Sequence, residues 1–402
     1  MINDSNRVVV TGMGCISALG YNLKEFSHAI FAGTKGIDNI SWLNGNSCKG
    51  GEVKNYEPLK YFSKREISIH DRFTQFALIA CDEAINNSGL CFSGELSNKI
   101  SVIFGVGAGG VHIQDKGYRD LYINQDKRLD PYIVLAGMNN AAACSIARKY
   151  NITGKTLTIS TACSSSSNAI GEAFRSIKSG ESKVVITGGS EACMTNGMWR
   201  AWESMYVMDS DTCRPFCKNR NGVVLGEGSG VLILESLEHA KKRKADIISE
   251  VVGYGSSADI HFIKPNPERE CMAMQLALSE AHIAADDVDY INAHGTGTKL
   301  NDAVETQAIK MAFGDHAKKL KISSTKSMHG HTLGASGALE SIATILAQKN
   351  SIIPPTINYE CLDLECDLNY VPNNAIDHPV NIAVKNSFAF GGVNTSLVFK
   401  KF

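Results

Sequence analysis

One cysteine, Cys163, stands in the stretch TLTISTACSSSSNAIGEAFRSI, between a β-branched run and four consecutive serines. The run predicts a buried strand, and Ala169, Ile170, Ala173, Phe174 and Ile177 recur at helical spacing beyond it. That places the thiol at the first turn of a helix. Unpaired backbone N–H groups and the helix dipole favour a thiolate there, so a lowered thiol pKa is expected. The small neighbours would let a substrate approach the backbone closely. A packed cysteine at a helix start fits the same description, and a lone thiol does not decide between the two.

Two histidine segments bear on the choice. INAHGTGT sets His294 directly after a strand and before a glycine-containing loop. STKSMHGHTLGASGALE offers Lys326, His329 and His331 ahead of a second small-residue helix, with Glu340 further along it. Neutral imidazoles that donate N–H bonds stabilise an oxyanion or enolate as it forms. A neighbouring lysine disfavours imidazolium and so keeps such a histidine neutral. In NSFAFGGVN, a backbone N–H after a strand is a candidate to pair with that of Cys163 as an oxyanion hole.

Elements that position these residues read as alternating strands and helices, the sign of α/β layering. RVVVTGMGC, KISVIFGVGAGG, TLTISTAC, KVVITGGSEAC and SGVLILESL form one series of strand-like runs. ISEVVGYGSSAD, DYINAHGTGT, LKISSTKSMHGH, NIAVKNSFAFGG and TSLVFKKF repeat it in the same order. This duplication predicts two similar lobes that join near residue 240, with a site built where their strand ends converge. Segments 110–140 and 195–220 break the pattern and are expected to supply insertions or interface surface.

The chain of 402 residues carries a formal charge of −1, which argues against a nucleic-acid surface. MINDSNRVVV turns straight into a strand-like run without the regions of a secretory signal, and no run of about 18 apolar residues appears. Twelve cysteines are spread through apolar segments, as in a reduced cytoplasmic protein. Cys213 with Cys217, and Cys361 with Cys366, lack partner pairs at zinc-ligand spacing, so no metal is expected. The basic run from Lys241 to Lys244 reads as a solvated helix end, or as a small docking patch for an acidic carrier.

Taken together, TACSSS, NAHGTGT, STKSMHGH followed by LGA, RPF followed by GVVLGEG, and NSFAFGG resemble the β-ketoacyl-acyl-carrier-protein synthases of the Cys-His-His type. The match runs from RVVVTGMG to NTSLVFKKF. The resemblance implies an α/β thiolase fold with two similar βαβαβαββ lobes in a five-layered αβαβα body. Residues 1–240 would carry the nucleophile and 241–402 the two histidines. It implies that Cys163 takes the acyl chain from a phosphopantetheine thioester, and that His294 and His331 promote malonyl decarboxylation and hold the enolate. Lys326 would support His331, and Glu340 would be a structural acid. The N–H groups of Cys163 and Phe390 would form the oxyanion hole, Phe390 would gate the acyl tunnel, and Thr296 and Thr298 would bind the pantetheine arm. The implied partners are an acyl carrier protein and a second subunit, identical or a relative resembling a chain-length factor. No dissociable cofactor is implied.

Departures from the family pattern are local. Cys217 follows Phe216, where an aspartate is usual, HGTGTKLND runs through Asp302, and Ala389 and Val393 alter the NSFGFGGTN pattern. These features resemble ketosynthases of type II polyketide or aryl-polyene pathways, with housekeeping fatty-acid elongation as the alternative. A thiolase would need a second cysteine in NSFAFGG, and coenzyme-A-primed relatives replace the second histidine by asparagine. A nicotinamide enzyme is suggested only by VVVTGMGCISALG and GVGAGG, without an acidic residue placed to hold a ribose. A non-catalytic partner chain would lack Cys163.

Overall fold

The computed structural model describes residues 6–42, 48–92, 94–125 and 128–402. Residues 1–5, the start of the stretch read as lacking a leader, lie outside the described residues. Ten strands and five helices place the site. In the first half these are β1 (Val8–Ser17), α1 (Arg72–Ser88), β2 (Ile100–Gly105), β3 (Thr156–Ile159), α2 (Ser165–Lys178), β4 (Val184–Glu191) and β5 (Gly228–Ser236). The second half contributes β6 (Ser249–Ala258), α3 (Pro267–Ala281), β7 (Tyr290–Asn292), α4 (Lys299–Phe313), β8 (Lys321–Ser323), α5 (Ser336–Asn350), β9 (Ile382–Phe388) and β10 (Val393–Lys400).

Hydrogen bonding orders the strands β8-β7-β9-β10-β6-β1-β5-β4-β2-β3. In the first half β2 lies parallel to β3 and β4, while β5 runs antiparallel to β4 and β1. Parallel pairing of β7 with β8 and β9, and antiparallel pairing of β10 with β9 and β6, repeats that arrangement. The halves meet where Val8, Val9 and Val10 of β1 pair with Val251, Glu250 and Ser249 of β6. Between them the chain passes through the short helix Leu237–Lys242. Lys241 and Lys242 fall in its last turn, where cations complement the helix dipole.

Alternation along the strands separates the layers. Leu232 and Leu234 of β5, and Leu397 and Phe399 of β10, face a central core with α2 and α5. Val231 and Ile233 turn to a second core under α1, and Val398 to a third under α3 and α4. Helices therefore lie outside each half-sheet and between them, the five-layered thiolase arrangement. Among the described residues no helix is long and apolar enough to cross a membrane, and all twelve cysteines are free thiols.

β3 corrects the expectation of a buried strand. It forms the edge of the sheet, and its Leu157 is exposed. β-Branched residues favour any pleated, half-buried surface, so the run reports strand but not its place in the sheet.

The central helices approach each other closely because their facing positions are small. A β-carbon added at Gly337 of α5 would lie 2.2 Å from Ser167 Oγ of α2. Gly337→Ala is therefore expected to destabilise the fold by about 1–3 kcal/mol, the usual cost of overpacking. Urea unfolding measures this, and an unchanged midpoint would show that α2 and α5 separate freely.

Candidate active site

Cys163 lies in a single 3₁₀ turn, Ala162–Ser164, between β3 and α2. Ala162 sits in the left-handed region at φ 49°, and this kink swings the chain from strand into helix. The four serines that follow are buried, and each has a partner. Ser164 donates to the carbonyls of Ser387 and Val393, and Ser165 caps the Thr161 N–H. Ser166 accepts from Ala338 N–H of α5, and Ser167 bonds the Ser387 hydroxyl at 2.8 Å. The polar run is thus the seam that fixes the nucleophile's helix to the other half.

His331 follows a short turn in the second half, and its Nε2 lies 3.1 Å from Cys163 Sγ. Leu333 N–H donates to its Nδ1 at 3.2 Å, so the proton of the neutral ring belongs on Nε2, facing the sulfur. His294 is held the same way by a different donor. The Lys326 ammonium lies 3.3 Å from its Nδ1 and donates to its carbonyl at 2.6 Å. An ammonium only donates, so Nδ1 accepts and Nε2 carries the hydrogen. The two rings stand nearly perpendicular, 5.5 Å apart. One nitrogen of each and Cys163 Sγ lie within 4.8 Å of one another.

Both imidazoles titrate well below the usual histidine range, chiefly through burial and then through the Lys326 ammonium. They are neutral donors at physiological pH. The expectation of a lowered thiol pKa, in contrast, is overturned. Burial pushes the Cys163 thiol up to about 11, despite Lys326 and the backbone N–H groups of Phe390 and Cys163, which favour the thiolate. The dipole of a helix start is outweighed when the residue is only 4% exposed. Alkylation by iodoacetamide should therefore rise about tenfold per pH unit from pH 7 to 9. A plateau below pH 8 would contradict this thiol state.

Lys326 contacts His294 rather than His331, its expected partner, because the turn that bears it packs beneath the β7 end. Its field nonetheless reaches both rings. Lys326 also forms a fully buried ion pair with Glu340. Thr296 and Thr298, 3.0 Å apart through their hydroxyls, line one cavity together with Cys163, His294, His331 and Phe390. The Phe390 ring stands 6.1 Å from that of Trp202. Its loop turns between β9 and β10 at Gly391 and Gly392, both with positive φ.

The family profiles for the "Beta-ketoacyl synthase, N-terminal domain" and "C-terminal domain" match residues 5–240 and 248–360. The chain belongs to the β-ketoacyl synthase family. Nodulation protein E of Rhizobium meliloti (strain 1021) is 41% identical over 399 residues, spanning 98% of this chain and 99% of that protein. The 3-oxoacyl-[acyl-carrier-protein] synthase 2 of Staphylococcus aureus (strain N315) is 39% identical over 412 residues, spanning all of both chains. Among solved structures, the ishigamide ketosynthase/chain length factor superposes with a TM-score of 0.93 at 33% identity, covering 99% of this chain and 100% of that one.

Several residues of this β-ketoacyl synthase escaped the sequence reading. Glu305 of α4 accepts the backbone N–H groups of His294 and Gly295. Asp302 accepts those of Thr296, Gly297 and Phe216, tying the threonine loop to the RPF segment. Glu191 at the end of β4 gathers the N–H groups of Gly107, Ala108 and Gly334 beneath the two helix starts. Lys385, within β9, was also missed. The unusual Cys217 is structural here, accepting the N–H groups of Glu360 and Cys361. Acids in the first two turns of a helix that follows a glycine loop are a legible anchor signal, and NAHGTGTKLNDAVE carries two, the fourth and seventh residues of α4.

Proposed function

We propose that this family member is a 3-oxoacyl-[acyl-carrier-protein] synthase acting by decarboxylative Claisen condensation. The carrying observation is the trio itself: one thiol and two neutral imidazoles, with ring nitrogens and Sγ within 4.8 Å, in one cavity beside Thr296 and Thr298. In this reading residues 1–240 supply the nucleophile and 241–402 the two histidines.

In the first step Cys163 Sγ attacks the carbonyl carbon of an acyl-carrier thioester. The C–S bond to the phosphopantetheine breaks, and the thiol proton passes to the departing pantetheine sulfur. In the second, a malonyl-carrier thioester enters with its arm against Thr296 and Thr298. The bond to its carboxylate breaks and carbon dioxide leaves. Electrons move to the thioester oxygen, which takes hydrogen bonds from Nε2–H of His294 and His331. The enolate carbon attacks the acyl-cysteine, whose oxyanion lies against the N–H groups of Cys163 and Phe390. Collapse releases the 3-oxoacyl carrier, and the Cys163 thiolate takes up a proton. Lys326 holds the tautomer of His294, Glu340 balances Lys326, and Phe390 gates the chain.

The substrates arrive on an acyl carrier protein in the cytoplasm, and the cycle needs no dissociable cofactor. A second subunit fits the exposed apolar side chains of Tyr122, Ile123, Val134 and Leu135, together with the edge strand β3. The ishigamide ketosynthase pairs with a chain length factor, and that likeness favours a heterodimer in type II polyketide or aryl-polyene synthesis. Fatty-acid elongation is the second reading, favoured by full-length similarity to the staphylococcal synthase.

Incubating the purified chain with an acyl carrier and malonyl carrier should give a 3-oxoacyl carrier two carbons longer, with carbon dioxide released. Acylated Cys163 that persists after malonyl carrier is added would refute the condensation. Repeated extension by the chain alone would favour the fatty-acid reading, and extension only with a cysteine-less partner the polyketide one.

A further inference from the structure

Lys385 is the charged residue of β9, and its side chain is fully buried. Its ammonium lies 3.0 Å from Glu340 Oε2, while Lys326 pairs with the other oxygen of the same carboxylate. It also donates to Ser167 Oγ at 3.0 Å and to Ser387 Oγ. One carboxylate therefore sits between two ammonium groups in a dry interior. A buried ion pair barely repays its desolvation, and a second cation on the same acid adds cost. Charge balance alone calls for one lysine here.

The second cation has a place in the chemistry. Ser167 lies four residues after Cys163, and Lys385 lies five before Phe390, so the ammonium joins the nucleophile's helix to the strand that ends at the proposed oxyanion hole. Asp259, His261 and Lys264 also line the cavity, and the following charged and titratable groups act on the lysine and the two imidazoles. Lys385 meets Glu340 of α5, Lys326, and Glu305 of α4. His294 faces Lys326, His331 and Lys385, with Glu305 on its backbone N–H. His331 faces Lys326, His329, Lys385 and Cys163.

We propose that Lys385 is a positioning residue of the condensation step: its ammonium, the second cation on Glu340, reinforces the field of Lys326 at His294 and His331. This rests on the carrier-dependent reading above. Without it, one cation would be balanced by one anion, and the imidazoles would protonate more readily. An imidazolium would ion-pair the malonyl carboxylate and hold it back from leaving as carbon dioxide. Lys385 is itself pushed down to about 8 by burial, with Glu340 opposing, so its charge is present at neutral pH and lost above that range.

The test follows malonyl-carrier decarboxylation from pH 8 down through the acid limb, as far as the fold persists, in wild type, Lys385→Met and Lys385→Gln, with Cys163 acylation scored by intact mass. Both variants should still acylate Cys163. Their acid limb should move up by about one pH unit, so that at a pH on that limb the rate relative to pH 7.5 falls about tenfold against wild type. Limbs that superimpose on wild type, with any loss tracking the folded fraction, would leave Lys385 a structural residue and overturn the proposal. Wild type that never decarboxylates malonyl carrier would instead overturn the underlying reading, and the role of Lys385 with it. The glutamine variant keeps a polar group on Ser167 and Ser387 if methionine prevents folding.

Discussion

Cys163→Ala is expected to abolish acylation and to reduce condensation by at least about a thousandfold, because no other nucleophile replaces the thiol. The nearest other cysteine chemistry is absent from the cavity lining: among the described residues that line it, Cys163 is the sole cysteine. The fold should survive the change. Cys163 is small, and its hydrogen bond runs to His331, which keeps Leu333 N–H and the Ser336 hydroxyl as partners on its other nitrogen. Malonyl decarboxylation should therefore persist in the variant, since the two imidazoles remain aimed at the cavity. Acylation and product formation by Cys163→Ala at the wild-type rate would end the assignment of the nucleophile.

His294→Ala and His331→Ala form the second prediction, each lowering condensation by about 10²–10³-fold, the cost of one lost oxyanion donor. Cys163 should still accept an acyl group in both, because neither ring has a free Nε2 lone pair to take the thiol proton: each Nε2 already carries a hydrogen. His294→Ala also frees the Lys326 ammonium from Nδ1, although its bond to the residue 294 carbonyl and its pair with Glu340 remain. The measurement is a split assay of single-turnover acylation against decarboxylation. Loss of acylation with decarboxylation intact would reverse the assigned roles.

The site was legible where local sequence pattern and chemistry coincide. Cys163 between a β-branched run and a helix, and His294 after a strand and before glycines, are positions a strand-to-turn pattern specifies on its own. The five-strand duplication was legible for the same reason, and the strand order repeats in both halves. Properties that depend on the whole surroundings were not. The direction of the Cys163 pKa turned on total burial, which no neighbouring residue reveals. Lys326 reaching His294 instead of His331 depends on how a turn packs beneath β7. The exposed edge position of β3 follows from strand order, not from its residues. Lys385 sits mid-strand among ordinary strand formers, and its meaning appears only when Glu340 arrives from a helix 45 residues earlier in the chain.

The central claim is that a covalent acyl-Cys163 intermediate is consumed by a decarboxylating malonyl carrier. Intact-mass analysis tests it directly, with a panel of acyl carriers, with and without candidate partner chains. Wild type should gain the mass of the acyl group, on a peptide containing Cys163, and lose it on addition of malonyl carrier as the 3-oxoacyl carrier appears. Cys163→Ala should gain nothing. A 3-oxoacyl product formed without any acyl mass on Cys163, or an acyl mass that malonyl carrier never removes, would contradict the account.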